Sequence, residues 1–136
     1  MTAVRKVRVV AALIADPLDP GRYLVQQRLP GKSRPLLWEF PGGKVEPAET
    51  DEEALARECR EELDVELEVG ERVWHTSHSY ADLQVELVLY RASIRGGEPK
   101  PLHAHALRWA SGDEMRRLSF CEADLPLVAL LARGAL

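Results

Sequence analysis

Cysteine is scarce in this chain: Cys59 and Cys121 are the only two among 136 residues. Two cysteines build no disulfide framework, so a cytoplasmic protein is the simplest expectation. Long apolar runs are missing too. The longest, Val9–Ala15 and Leu127–Ala132, fall far short of the roughly 20 residues that a membrane helix needs. The opening Met1-Thr2-Ala3-Val4-Arg5-Lys6 lacks the basic, then apolar, then small-residue layout of a secretory leader. Nor is there an excess of positive charge. The net formal charge is -4, which argues against a protein that coats nucleic acid. It does not argue against a phosphate substrate, because a few local cations and a metal can hold one. No internal repeat, low-complexity tract or linker divides the chain. The length and the 46% hydrophobic content suit one domain over residues 1–136 with a real core.

The patterning predicts strands and helices in mixed order. Val4–Ala15 is rich in β-branched and small apolar residues and reads as a strand. Asp16–Gly21 is dense in turn formers, and Arg22–Arg28 alternates well enough for a second strand. Leu29–Leu36 reads as a loop, and Pro41-Gly42-Gly43 as a sharp break. Thr50 and Glu53 have capping-box spacing, and Leu55, Cys59 and Leu63 then recur every four residues as an apolar ridge. Val65–Thr76 reads as extended. Leu83, Val85, Leu87 and Leu89 alternate as a half-buried strand. Arg95–Pro101 reads as a loop and Ala106–Ala110 as a short strand. Ser111 and Glu114 form a second capping box. Asp124-Leu125-Pro126 opens a last helix that Gly134 ends. The fold class expected is α/β, a sandwich of helices on a mixed sheet; periodicity does not give the strand order.

The central helix carries the chemistry. Glu58, Glu61 and Glu62 stand at i, i+3 and i+4, on one helical face. Each like-charge pair costs an isolated helix roughly a few tenths of a kcal/mol. Arg57 and Arg60 relieve part of it, so an ordinary charged surface is the plain reading of that stretch alone. Its context changes the reading. Hard divalent cations seek clustered carboxylate oxygens, and Mg2+ takes one or two of them along with substrate phosphates and water. Just upstream, Pro41-Gly42-Gly43-Lys44 offers a glycine turn whose backbone can approach a ligand closely.

From Gly43 the chain runs five residues to Glu49, seven more, and then Arg57-Glu58-Cys59-Arg60-Glu61-Glu62-Leu63-Asp64-Val65. This resembles the Nudix box, which reads G, five residues, E, seven residues, R-E-U-x-E-E-x-G-U, with U a bulky apolar residue. Every charged position and the first glycine match. Asp64 replaces the last glycine, so the helix should end without its usual left-handed residue, with Asp among the more tolerable substitutes. Leu37-Trp38-Glu39-Phe40-Pro41-Gly42-Gly43-Lys44, Gln27-Arg28, the strand from Leu83, Leu107-Arg108-Trp109 and Ala123-Asp124-Leu125-Pro126 also resemble MutT-type nucleoside triphosphate pyrophosphohydrolases and the related CTP pyrophosphohydrolases, in order.

The resemblance implies a Nudix fold, an α/β/α sandwich, and hydrolysis of nucleoside triphosphates to monophosphate and pyrophosphate. It implies Mg2+ as cofactor, with Mn2+ able to substitute. Carried over by position, Glu58, Glu61 and Glu62 would be metal ligands, joined by the Gly43 carbonyl. Glu58 would also orient the water. Arg57 would hold the glutamates, with Glu49 behind it. Arg28 would contact substrate phosphate, although a solvent-facing strand arginine is an equally good reading. Phe40 would line the base pocket or pack in the core. Asp124 would read the base or cap the last helix. MutT-type enzymes often carry a carboxylate six residues before the tryptophan matching Trp109. Here His103 stands there, and Glu98 is a possible substitute, but an exposed loop is the simpler reading of that stretch. Within the family, dinucleoside polyphosphates, nucleotide sugars and capped RNA ends are rival substrates. A non-catalytic binding domain or a metal-stabilised structural domain is the reading from another class. Monomer and homodimer stay open as assembly states.

Overall fold

The computed structural model describes residues 4–136; Met1–Ala3, part of the opening stretch read above, lie outside the described residues. Seven strands and three helices follow: β1 (Arg5–Asp16), β2 (Asp19–Gln27), β3 (Trp38–Glu39), β4 (Gly42–Lys44), α1 (Asp51–Leu63), β5 (Glu66–Ser79), β6 (Leu83–Gly96), β7 (Ala106–Ser111), α2 (Gly112–Met115) and α3 (Leu125–Ala132), with a 3-10 turn at Glu122–Asp124. The sheet order is β3-β2-β1-β6-β5, with β4 also on β1 and β7 on β2. β1 runs parallel to β6 from Arg5↔Leu83 to Ile14↔Ala92, and the other pairings are antiparallel. The sheet is mixed, as expected.

The apolar run of β1 is explained by burial on both faces. Successive side chains point to opposite sides of a strand. Ala11 and Leu13 enter one core with Val85, Leu87, Met115, Phe120 and Leu127. Val10, Ala12 and Ile14 enter the other with Leu55, Cys59, Leu63 and Val88. Helix α1 therefore covers one face, and α2 with α3 the other, giving the α/β/α sandwich. None of the helices among the described residues is long and apolar enough to cross a membrane.

Helix α1 starts where the capping box places it. Thr50 Oγ1 accepts from the Glu53 N–H at 3.1 Å, and the Glu53 carboxylate accepts from the Thr50 N–H at 3.0 Å. Leu55, Cys59 and Leu63 are fully buried. Burying each leucine stabilises by about 1.5–3 kcal/mol, which exceeds the repulsion among the glutamates. The helix ends on Asp64 at φ 58°, ψ 42°, with its N–H on the Arg60 carbonyl. The left-handed ending thus survives the loss of glycine, contrary to expectation. Asp64→Gly should then stabilise the protein by about 1 kcal/mol, because an L side chain is strained there. The exposed Lys100–Asp64 pair at 3.2 Å adds little against this. A thermal melt should show a rise of about 3–5 °C; an unchanged melt would mean that Asp64 bears no strain.

Two expectations about the backbone need correction. Pro41-Gly42-Gly43 is not a free break, since Gly42–Lys44 pairs with β1 as Val9↔Lys44, Val10↔Gly43 and Ala11↔Gly42. A Cβ on Gly42 would overlap the Val10 carbonyl, so glycine here permits close approach of two backbones. Arg95 and Gly96 also belong to β6 rather than to a loop, because they extend its ladder as far as Glu66↔Gly96.

Candidate active site

A cleft of about 620 Å3 opens on the sheet. Val7, Val9 and Ala11 of β1 and Leu83, Val85 and Leu87 of β6 line it; these alternate residues share one sheet face. Gly43, Glu58 and Glu62 line it from the β4–α1 side, and Cys121, Ala123 and Asp124 from the segment leading into α3. Arg5, Arg28, Lys32, Arg34 and Lys44 bring positive charge to the same cleft.

Arg57 organises the acids. Its Nε and Nη2 donate to the two Glu49 oxygens at 2.6 and 2.9 Å, and its Nη1 to Glu58 at 3.1 Å and Glu61 at 3.3 Å. Nη2 also reaches the Lys44 carbonyl at 3.1 Å, tying the helix to β4. This grip holds the Glu49 carboxyl down to about 2. Glu62 behaves in the opposite way: burial, then the Glu58 charge, pushes it up to about 7. Burial also raises Glu58, with Arg57 opposing. Two carboxylates therefore sit in the cleft with their ionised forms disfavoured by burial. A Cβ on Gly43 would overlap the Glu58 carboxyl, so a side chain here would push that carboxylate aside.

Residues 10–130 match the family model described as a NUDIX domain. The chain belongs to the Nudix hydrolase family. It is 35% identical over 125 residues to the CTP pyrophosphohydrolase of Escherichia coli K12, covering 92% of this chain and 90% of that protein. It is 39% identical over 113 residues to the putative 8-oxo-dGTP diphosphatase 2 of Mycobacterium tuberculosis H37Rv, covering 81% and 79%. The solution structure of a MutT Nudix hydrolase from methicillin-resistant Staphylococcus aureus 252 superposes with a TM-score of 0.74 at 36% identity, covering 97% of this chain and 99% of that one. The protein is an enzyme of the pyrophosphohydrolase class, and its sheet and helices are the Nudix fold.

In this Nudix hydrolase the residues expected to act are only partly gathered. Glu58, Glu62, Gly43, Arg28, Phe40 and Asp124 all line the cleft. Glu61 does not; its side chain is 53% exposed and faces Arg57. Among the described residues, no trio of His, Cys, Asp or Glu is gathered closely enough to hold a metal alone. Mg2+ takes one or two carboxylates and relies on water and substrate phosphate for the rest. The half-buried carboxylates of Glu58 and Glu62, beside the Gly43 backbone, fit such an ion. Neither Glu98 nor His103 lines the cleft, and both are exposed, in keeping with the simpler reading of that stretch.

Asp124 corrects one expectation. It precedes α3 but makes no side-chain capping bond, because its own backbone is helical (φ -89°, ψ -13°). Its side chain is instead buried against the cleft, and burial pushes its carboxyl well above the ordinary range. Phe40 is both core and lining: it is 3% exposed, tilted against Phe120 at 5.7 Å, and touches the cleft. Arg28 Nη1 donates to Glu39 at 2.9 Å while Nε donates to the Ser33 carbonyl at 2.8 Å, so it is a cleft residue and not a free surface arginine.

The sequence reading missed Gln26 and the role of Glu39. The Gln26 amide donates to Glu39 at 3.1 Å and to Glu62 at 3.3 Å, bridging two carboxylates. The amide oxygen is buried without a partner. A signal existed: Gln26 shares strand parity with buried Leu24, and a polar side chain at an inward position needs a reason.

Proposed function

We propose that this Nudix hydrolase uses Mg2+, with Mn2+ as substitute, to split nucleoside triphosphates into monophosphate and pyrophosphate, removing damaged or surplus nucleotides from the cytoplasm. The observation that carries this reading is the half-buried Glu58–Glu62 pair beside Gly43, in a cleft with five cationic side chains. When bound, the metal would neutralise phosphate oxygens and make water more nucleophilic. Glu58 and Glu62, with the Gly43 carbonyl and Glu61 of the same helix, are the residues that would hold it. Glu58 orients the attacking water. Arg57 and Glu49 are positioning residues for these acids. Arg28 meets the phosphates, where its planar fork suits two oxygens at once. Attack at the β-phosphorus forms the new oxygen bond there and breaks the bond to the bridge oxygen, which leaves on the nucleoside monophosphate.

Asp124 supports a reading of the base. A neutral carboxylic acid offers one donor beside one acceptor. Cytosine presents the matching pair at N3 and its amino group, and 8-oxoguanine does so at O6 and N7–H. Unmodified guanine presents two acceptors at N7 and O6, which a single acid cannot satisfy, whereas its O6 and N1–H edge would satisfy one. Cytosine nucleotides and 8-oxo-dGTP are therefore the favoured substrates, and dGTP is disfavoured where Asp124 meets the N7 edge of the purine. Asp124→Asn keeps a donor and an acceptor but cannot ionise. A carboxyl raised by burial contributes stability that is complete at low pH and lost as pH rises through its folded value. The asparagine variant should therefore gain stability relative to wild type as pH climbs above about 4. Its ranking of dCTP, 8-oxo-dGTP and dGTP by kcat/KM should shift. An unchanged ranking would remove Asp124 from base recognition.

A further inference from the structure

The turn between β5 and β6 is closed by the Tyr80 N–H on the Leu83 carbonyl at 2.8 Å. From it, Tyr80 reaches across the cleft rim, and its phenol oxygen accepts from the Ala123 N–H at 3.0 Å. That N–H lies at the start of the 3-10 turn, where backbone donors have no partner of their own. Cys121, at the cap position, supplies no side-chain bond. Tyr80 thus caps from another element the turn that delivers Asp124. His78 reinforces this: its ring meets Tyr80 edge-on at 4.6 Å, and its Nε2 lies 3.1 Å from Glu122. On the other side, the Arg34 guanidinium sits 4.0 Å from the Tyr80 ring centroid and 3.7 Å from Asp82. Arg34 and Leu36 both hold left-handed backbone (φ 51° and 61°) in the segment between β2 and β3. Such conformations persist where surrounding contacts over-determine them, and at Arg34 the cation–π contact with its ion pair is the visible restraint.

We propose that Tyr80, clamped under Arg34, is a positioning residue that sets the place of Asp124 in the cleft and so governs discrimination between bases. Three separate segments meet in this one contact, and Arg34, Tyr80, Asp82, Ala123 and Asp124 all line the cleft. Asp124 has no capping bond of its own, so its place depends on the backbone around it. The inference rests on the base-reading role of Asp124 given above.

Tyr80→Phe keeps the ring under Arg34 and removes only the oxygen. Loss of one such bond should raise KM for the preferred triphosphate about five- to tenfold. Its kcat should change far less, and the preference over dGTP should shrink by a similar factor. Arg34→Gln, at the solvent rim, should shrink the same preference with the fold retained. An equal loss on every triphosphate, with ranking unchanged in both variants, overturns the proposal and reduces the contact to packing. Asp124→Asn separates the two levels. If it shifts the ranking while Tyr80→Phe and Arg34→Gln do not, the clamp alone is wrong. If Asp124→Asn leaves the ranking untouched, the base-reading role fails first and takes the clamp with it.

Discussion

Glu62→Gln is expected to lower kcat by roughly a thousandfold, the scale set by several kcal/mol of transition-state charge stabilisation at about 1.4 kcal/mol per decade. The metal-free variant should nevertheless melt no lower than wild type. Glu62 is a half-buried carboxylate pushed up to about 7 by its burial and by Glu58, so its ionised form is disfavoured in the fold. Between about pH 4.5 and 7 the folded state holds a proton that the unfolded state has released, and stability falls as pH rises through that window. Glutamine removes this loss and still offers an oxygen to the Gln26 amide. The variant should also bind Mn2+ more weakly by spectroscopic titration, a readout independent of turnover. Near-normal turnover with Mn2+ binding unchanged would take Glu62 out of the metal site.

Arg57→Lys should cost about 10- to 100-fold in kcat, the usual scale for a residue that orients metal ligands. One guanidinium here spans both Glu49 oxygens, Glu58, Glu61 and the Lys44 carbonyl, and a lysine ammonium cannot cover that geometry. Helix α1 is anchored independently by Leu55, Cys59 and Leu63, so folding should survive. Turnover within twofold of wild type would mean that the glutamates hold their places without Arg57.

The parts legible in the sequence were those where local chemistry and position coincide. The Thr50–Glu53 box, the Leu55–Cys59–Leu63 ridge and the Glu58–Glu62 face lie within one helix, so spacing alone places them. The mixed sheet followed from alternating strand and helix patterns. What stayed hidden depends on contacts between distant segments. β4 is three residues long and becomes a strand only by pairing with β1. The left-handed Asp64 was misjudged because local strain was weighed without its surroundings. Tyr80 meets Arg34 and Ala123 through the fold alone, and no spacing links them. Asp124 was legible as a residue of interest, but its burial, which decides its protonation, belongs to the tertiary structure.

The most direct test of the central reading is a nucleotide panel with dCTP, 8-oxo-dGTP, dGTP, a dinucleoside polyphosphate, a nucleotide sugar and a capped RNA end, incubated with Mg2+ in oxygen-18 water. Monophosphate and pyrophosphate should appear first from dCTP or 8-oxo-dGTP, with the label in pyrophosphate, and excess EDTA should abolish the reaction. Label in the monophosphate would move attack to the α-phosphorus. Orthophosphate as first product, full turnover in EDTA, or activity confined to the non-triphosphate substrates would contradict the reading itself.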